Sequence, residues 1–358
     1  MIERSYRKLV VKSVVPEGEA AKSFYLAPAD GGPLDHYFPG QHLPLRLNIP
    51  NQERPVFRCY TISNYGDDFY RLTIKKELAP LDKPEAAPGL SSSYFHITVR
   101  PADILEAKPP SGNFWLDLSR DPPVVMLAGG IGVTPMMSML EALDRAGSNR
   151  SVYFFFALRH SGDHVFHSRL RAIAERRPNL RMRVFYEQLR EQDVVGRDYQ
   201  HVGRIDIATL REHLPSLEME YYICGPSGMM KALTEGLAEA GVSTEAIRTE
   251  SFGPSSAALL ALSSSGKEEH EGSSGITVTF ARSDITVPWT DEVPSLLQLA
   301  EINRVDISSG CQYGDCGTCM VRLLEGKVAY RHVTGARIDP GCCLPCSCRP
   351  DTSIVLDA

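Results

Sequence analysis

The chain has 358 residues, 43% of them hydrophobic and 23% charged, and a formal net charge of −6. That length predicts two or three domains. The mild acidity excludes a nucleic-acid partner, which takes a concentrated basic surface. No apolar run approaches the length of a membrane crossing, so no membrane association is expected, and residues 1–8 lack the apolar core of a signal peptide. Seven of the nine cysteines follow position 310. They form a local site rather than a disulfide framework, which implies a reducing, cytoplasmic setting.

Residues 1–118 read as short strands with period-two alternation, beginning at Tyr6 and Ser23, then across Pro39–Leu47 and Tyr70–Lys76. Turn residues such as Asp30-Gly-Gly-Pro33 and Asn64-Tyr-Gly-Asp67 separate them. The expectation is an antiparallel β-barrel.

Within it lies Arg58-Cys59-Tyr60-Thr61-Ile62-Ser63. On a strand, Arg58 and Tyr60 share a face, so a forked cation and an aromatic ring stand side by side. Such a tetrad on a strand is also compatible with plain surface pairing. The run resembles the R-x-Y-[ST] flavin signature of the ferredoxin-NADP reductase superfamily. That resemblance implies Arg58 on a flavin phosphate, Tyr60 against the isoalloxazine and the Thr61 hydroxyl near N5. The family more often has Ser at the last position.

Gly89-Leu-Ser91-Ser92-Ser-Tyr-Phe-His96 reads as a Ser-rich helix start. It resembles the G-x-x-S-x-x-x-H element of flavohaemoglobin reductase domains, where a helix N-terminus meets the flavin pyrophosphate. Residues 108–114 resemble the P-x-G-x-F segment that closes this barrel. Together these imply FAD, with FMN as the alternative. Ser63, Lys75 and His42 complete the expected flavin set, His42 standing where relatives often carry Tyr. A surface His without a ligand is the other reading of His42.

Residues 119–254 switch to alternating strands and helices, the pattern of an α/β domain with a parallel sheet. Pro123–Ala128 is a strand and Met136–Arg145 a helix, with Gly129-Gly130-Ile-Gly132-Val-Thr134-Pro135 between them. The glycines let a pyrophosphate approach a helix N-terminus, and Pro135 suits a first helical turn. The form G-G-x-G-x-[ST]-P is that of the superfamily's nucleotide loop. Tyr221-Tyr-Ile-Cys224-Gly225-Pro226 resembles the Cys-Gly-Pro that relatives place beside the nicotinamide; alone it would be a buried thiol and a turn. Phe252 ends the domain, and relatives bring that aromatic near the flavin. Arg159 could accept a 2′-phosphate and Glu187 would repel one, so the residues lean slightly to NADH over NADPH.

Residues 255–274, rich in Ser, Gly and charge, read as a linker. Two alternating strands, a helix from Ser295, and a hairpin of Met320–Leu324 with Lys327–Tyr330 follow, the order of a ferredoxin-like β-grasp (α+β). Cys311, Cys316 and Cys319 are spaced C-x4-C-x2-C, with further thiols at 342, 343, 346 and 348. That spacing is the ligand pattern of a plant-type [2Fe–2S] cluster. A zinc site would more often show two C-x2-C pairs. The segment resembles plant-type ferredoxins, and its Leu344-Pro345-Cys346 step makes Cys346 the expected fourth ligand, with Cys348 next.

The resemblance covers the chain: a flavin barrel, an NAD(P) domain and an iron–sulfur domain. It implies an NAD(P)H-dependent reductase in which Thr61 and Cys224 position the reacting groups. Electrons would pass through flavin and cluster to a protein acceptor, an oxygenase or demethylase component. A haem, hybrid-cluster or molybdenum protein as acceptor, or a non-enzymatic redox carrier, are the alternatives.

Overall fold

The computed structural model describes residues 6–53, 55–79, 85, 87–252, 275–291, 293–310, 312, 314, 316–331, 334, 336 and 338–358. The expected linker and Cys311 lie outside them.

The first unit is a six-stranded antiparallel sheet of β1 (Arg7–Glu17), β2 (Ala21–Pro28), β3 (His42–Leu47), β4 (Val56–Thr61), β5 (Tyr70–Lys75) and β6 (Ile104–Ala107), ordered β4-β3-β6-β1-β2-β5. An antiparallel bridge between Ile62 and Leu72 brings the two outer strands together, so the sheet curls into a barrel that closes at that point. Its core of Leu9, Phe24, Leu43, Leu45, Ile62 and Leu72 is fully buried. Helix α1 (Leu90–Ile97) caps it through Phe95.

The second unit is wholly parallel, in the order β10-β9-β8-β7-β11-β12. Its strands are β7 (Val124–Gly129), β8 (Val152–Leu158), β9 (Leu180–Tyr186), β10 (His201–Val202), β11 (Glu220–Cys224) and β12 (Ile247–Glu250). Every residue of β7 is buried, as a strand covered on both faces must be. Helices α2 (Val133–Arg145) and α3 (His167–Arg176) lie on one face, α4 (Ile207–His213) and α5 (Ser227–Glu239) on the other. Helix α2 starts three residues before Met136, with Pro135 inside its first turn, where its missing N–H costs nothing. Strand order reverses between β7 and β11, so two loops diverge there and leave a crevice at the carboxyl ends.

Buried polar ties hold barrel and parallel sheet together. Arg71 of β5, 1% exposed, pairs with Glu141 of α2 at 3.0 Å, and the Ser138 hydroxyl donates to the Asn64 carbonyl at 2.8 Å.

The C-terminal unit contains β13 (Thr277–Phe280), β14 (Ile285–Pro288), β15 (Val321–Glu325), β16 (Val328–Tyr330), β17 (Cys342–Cys343), β18 (Cys348–Pro350), β19 (Ile354–Leu356) and helix α6 (Leu296–Ile302). The main sheet runs β14-β13-β19-β15-β17, and α6 packs Leu296, Leu299 and Ala300 into its core. The expected hairpin of residues 320–324 with 327–330 does not form. Strand β15 pairs with β17 and β19, whereas β16 pairs with β18. At the turn between them Gly326 has φ +87°, and a side chain there would collide with the Ser353 carbonyl. Lys327 exchanges its backbone bonds with the 351–352 turn instead, which draws β16 away from β15.

Candidate functional site

Thr61 ends β4 directly opposite His42 of β3. Glu250 ends β12 beside Cys224 of β11, in parallel register. These strand ends meet. The Thr61 hydroxyl lies 3.5 Å from one carboxylate oxygen of Glu250, and His42 Nδ1 lies 3.8 Å from the other. His42 is buried; its Nε2 reaches the Ser111 hydroxyl at 3.3 Å, and a side chain on Gly112 would strike the imidazole at 2.8 Å. Glu250 was not among the residues expected from the sequence. It stood in plain view in Thr249-Glu250-Ser251-Phe252, but only the strand order places it against Thr61.

Arg58 is exposed, and its guanidinium donates to the neighbouring Phe57 carbonyl at 2.7 Å. Tyr60 is half-buried, edge-on to Phe95 at 5.2 Å. Its phenol is held protonated by burial, with Arg58 opposing. Ser92 is engaged at the entry to α1, donating to the Gly89 carbonyl at 3.0 Å and accepting from the Glu77 N–H at 3.1 Å. A side chain at Gly89 would strike that hydroxyl. Ser63 is a correction to the expected set: it is fully buried, and its hydroxyl donates to the Arg71 carbonyl at 2.8 Å and contacts Thr73. No surface of Ser63 is left for a ligand.

The glycine loop and the Cys-Gly-Pro turn pack on each other. A side chain at Gly132 would meet the Cys224 carbonyl at 2.2 Å, and one at Gly129 would meet Pro226 at 2.6 Å. Gly225 lies against Gly129 in the same way. Gly130 differs, with φ +52° and open space where a side chain would stand. It lines a cleft with Glu17, Lys75, Ile131, Gly162, Asp163 and Val165. Thr134 is buried and donates to the Ile131 carbonyl at 3.0 Å. Cys224 has no exposed surface; burial, then Glu250, pushes its thiol pKa well up. Phe252, beyond β12, is 41% exposed.

In the C-terminal unit the Cys319 and Cys346 sulfurs lie 3.2 Å apart, close but far beyond a disulfide bond. The Thr318 N–H points to Cys316 Sγ at 3.5 Å, and a side chain at Gly310 would meet that sulfur at 2.9 Å. Gly314 and Gly317 adopt φ +83° and +63°, turns that favour glycine. Cys343 and Cys348 face the hydrophobic core, hydrogen-bonded to each other. Among the described residues no three ligating side chains converge on one point. Thiols in pairs suit a [2Fe–2S] cluster, whose irons each take two protein thiolates, so the residues fit that group. Cys316 also lies near the barrel: it adds to a rise in the Tyr6 phenol pKa to about 12, caused first by burial and opposed by Arg46. Arg46 sits over that ring at 4.3 Å.

Residues 126–235 match the oxidoreductase NAD-binding domain, and residues 278–351 match the 2Fe-2S iron-sulfur cluster binding domain. The chain is a ferredoxin-reductase-like NAD-binding unit joined to a C-terminal 2Fe–2S domain. Like this ferredoxin-reductase-like chain, phthalate dioxygenase reductase is modular; the two folds superpose over 99% of this chain and 98% of that one (TM-score 0.58, 22% identity). The FAD/NAD-binding domain of a nitric oxide dioxygenase from Vibrio cholerae is 29% identical over 70% of this chain and all of that one (TM-score 0.61). A flavohemoprotein of Bordetella pertussis is 36% identical over 250 residues, 69% of this chain. The match spans about three-fifths, 61%, of that relative's length. Among the described residues no helix is long and apolar enough to cross a membrane.

Proposed function

We propose that this chain is an NAD(P)H-dependent reductase that passes electrons through FAD and a [2Fe–2S] cluster to a partner protein. A flavin accepts hydride and releases electrons singly, and the cluster carries one at a time. The observation that carries the reading is the Glu250–Thr61 contact: it joins the end of the R-x-Y-T strand to the crevice beside the glycine loop.

Arg58, whose one hydrogen-bond partner among the described residues is a neighbouring carbonyl, can turn to a flavin phosphate, and Tyr60 offers a ring two residues away on the same face. Ser91 and Lys75 support the flavin chain. Thr61 presents its hydroxyl toward N5, held by Glu250. Ser251 supports this fit: its hydroxyl is buried without a hydrogen-bond partner among the described residues, a donor that a bound group can satisfy. Gly129, Gly130, Gly132, Thr134 and Pro135 with Cys224, Gly225 and Pro226 form the nucleotide side. There the packing glycines shape the crevice and Gly130 leaves room for the ligand. Cys224 acts from below the surface, flanking Glu250. Cys311, Cys316, Cys319 and Cys346 hold the cluster; the 3.2 Å Cys319–Cys346 approach supports Cys346 over Cys348. Working boundaries are 1–118, 119–254, 255–274 and 275–358.

The acceptor proposed is an oxygenase component, supported by the full-length likeness in fold to phthalate dioxygenase reductase. A haem acceptor is the second reading, favoured by the 36% identity to a flavohemoprotein. Acid extraction of the flavin, metal analysis, and NAD(P)H-driven reduction of cytochrome c or ferricyanide test the assignment. FAD, two irons and turnover are expected; a colourless protein with zinc would refute it.

A further inference from the structure

We infer that the nucleotide site selects NADPH over NADH through Arg159, His160 and Ser161. This rests on the nucleotide site proposed above and deepens it.

In a nucleotide-binding sheet whose first strand carries the glycine loop, the adenosine ribose lies at the carboxyl end of the second strand. An acidic residue there favours the 2′-hydroxyl of NADH, and an arginine favours the 2′-phosphate of NADPH. The first strand here is β7 and the second is β8, its immediate parallel neighbour. The residue that leaves β8 is Arg159, which is exposed and has no carboxylate partner among the described residues.

The acid that would oppose it is Glu187, leaving the adjacent strand end. Its N–H donates to the Leu158 carbonyl at 3.0 Å, and Gln188 N–H donates to Arg159 at 2.8 Å, so the two side chains emerge next to each other. Glu187 is already taken: Arg204, just past β10, donates to its carboxylate at 2.7 Å. The slight lean to NADH drawn from Glu187 in the sequence therefore reverses, because a paired carboxylate repels a phosphate far less than a free one.

Two further groups point the same way. His160 Nε2 lies 3.4 Å from an Arg190 nitrogen, which can only donate. The imidazole proton then sits on Nδ1, and that N–H is buried with no acceptor among the described residues. The Ser161 hydroxyl is likewise buried without a partner among the described residues, on a half-buried residue. Consecutive residues thus offer a cation, an N–H and an O–H with no acceptor among the described residues, while Glu19, the carboxylate beside this loop, is held by Arg190. A phosphate monoester supplies three acceptor oxygens and a charge to match. The loop's own acid, Asp163, lines the cleft with Glu17 and Lys75 beside Gly130 rather than joining Arg159 in an ion pair.

The test is calorimetric binding of 2′,5′-ADP and 5′-AMP to the full-length holoprotein, with kcat/KM for NADPH and NADH on the same preparations. The wild type is expected to bind 2′,5′-ADP at least about ten-fold tighter, the scale of one charge-assisted contact. Arg159→Ala should bring the two affinities together, Arg159→Lys should keep part of the difference, and Arg159→Glu should invert it. Arg159 is exposed, so these variants should fold. Equal or tighter binding of 5′-AMP by the wild type, with turnover preferring NADH, would overturn this inference and leave the reductase reading intact. No binding of either nucleotide and no turnover with either would overturn both.

Discussion

Glu250 lies 3.5 Å from the Thr61 hydroxyl across the junction of two sheets, although 189 residues separate them in the chain. The contact needs β4 to end at Thr61 and β12 to end at Glu250, and the Arg71–Glu141 ion pair is a further tie between the barrel and helix α2 of the parallel-sheet unit. Removing the carboxylate while keeping its shape tests what it does. Glu250→Gln should retain flavin, yet slow flavin bleaching by NADPH or NADH roughly ten-fold in stopped-flow absorbance. That is the scale of one positioning hydrogen bond of about 1.5 kcal/mol. An unchanged bleaching rate would remove Glu250 from the reacting site.

Arg58 is exposed and, among the described residues, donates only to the carbonyl beside it, so it contributes little to the barrel itself. Arg58→Ala should leave thermal stability of the flavin-free protein within about 0.5 kcal/mol. Flavin affinity should fall by roughly 10- to 100-fold, as when a charged hydrogen bond to phosphate is lost. Fluorescence titration of the flavin-stripped protein measures both. A large loss of stability with unchanged flavin affinity would return Arg58 to a structural role.

The two late cysteines should part company. Cys346 stands against Cys319, whereas Cys348 is fully buried and hydrogen-bonded to Cys343 in the core. Cys346→Ser should abolish the iron–sulfur absorbance. Cys348→Ser should keep it and cost about 1–3 kcal/mol, because a hydroxyl is placed in an apolar core. The opposite pattern would exchange their roles.

Much of this was legible in the chain. Period-two alternation marked the barrel strands, the unbroken apolar run 124–128 marked a doubly covered parallel strand, and the cysteine spacing marked a cluster loop. Three things were not. Glu250 depends on β12 lying beside β11, a pairing between segments that local pattern does not encode. Ser63 carried the right residue type but faces inward, because the chain turns at Ile62 to close the barrel on Leu72. The 320–330 hairpin had a good turn residue in Gly326, yet backbone bonds to the 351–353 turn outcompeted it.

His164 gives the stability a pH dependence. It is buried, its Nδ1 shares a 2.7 Å hydrogen bond with the Tyr186 hydroxyl, and its Nε2 has no partner among the described residues. Burial first, then His167, lower its pKa to about 3, with Asp198 opposing. The folded value lies below the unfolded one of about 6.5, so the unfolded chain binds the extra proton as pH falls. Stability is therefore lost from about pH 6.5 downward, by about 1.4 kcal/mol per pH unit, or about 2 kcal/mol by pH 5. Urea denaturation at pH 7 and pH 5 should show that loss, and His164→Gln should reduce it. An identical pH slope in the variant would assign the loss to other groups.

The most direct measurement of the whole route is anaerobic single turnover, mixing the holoprotein with one equivalent of NADPH and following flavin absorbance and the cluster's electron paramagnetic resonance together. The expected result is flavin bleaching first, then a signal from the reduced cluster, with both steps lost when flavin is removed and only the second lost in Cys346→Ser. A cluster that stays oxidised while the flavin is reduced, or one reduced just as fast without flavin, would contradict it.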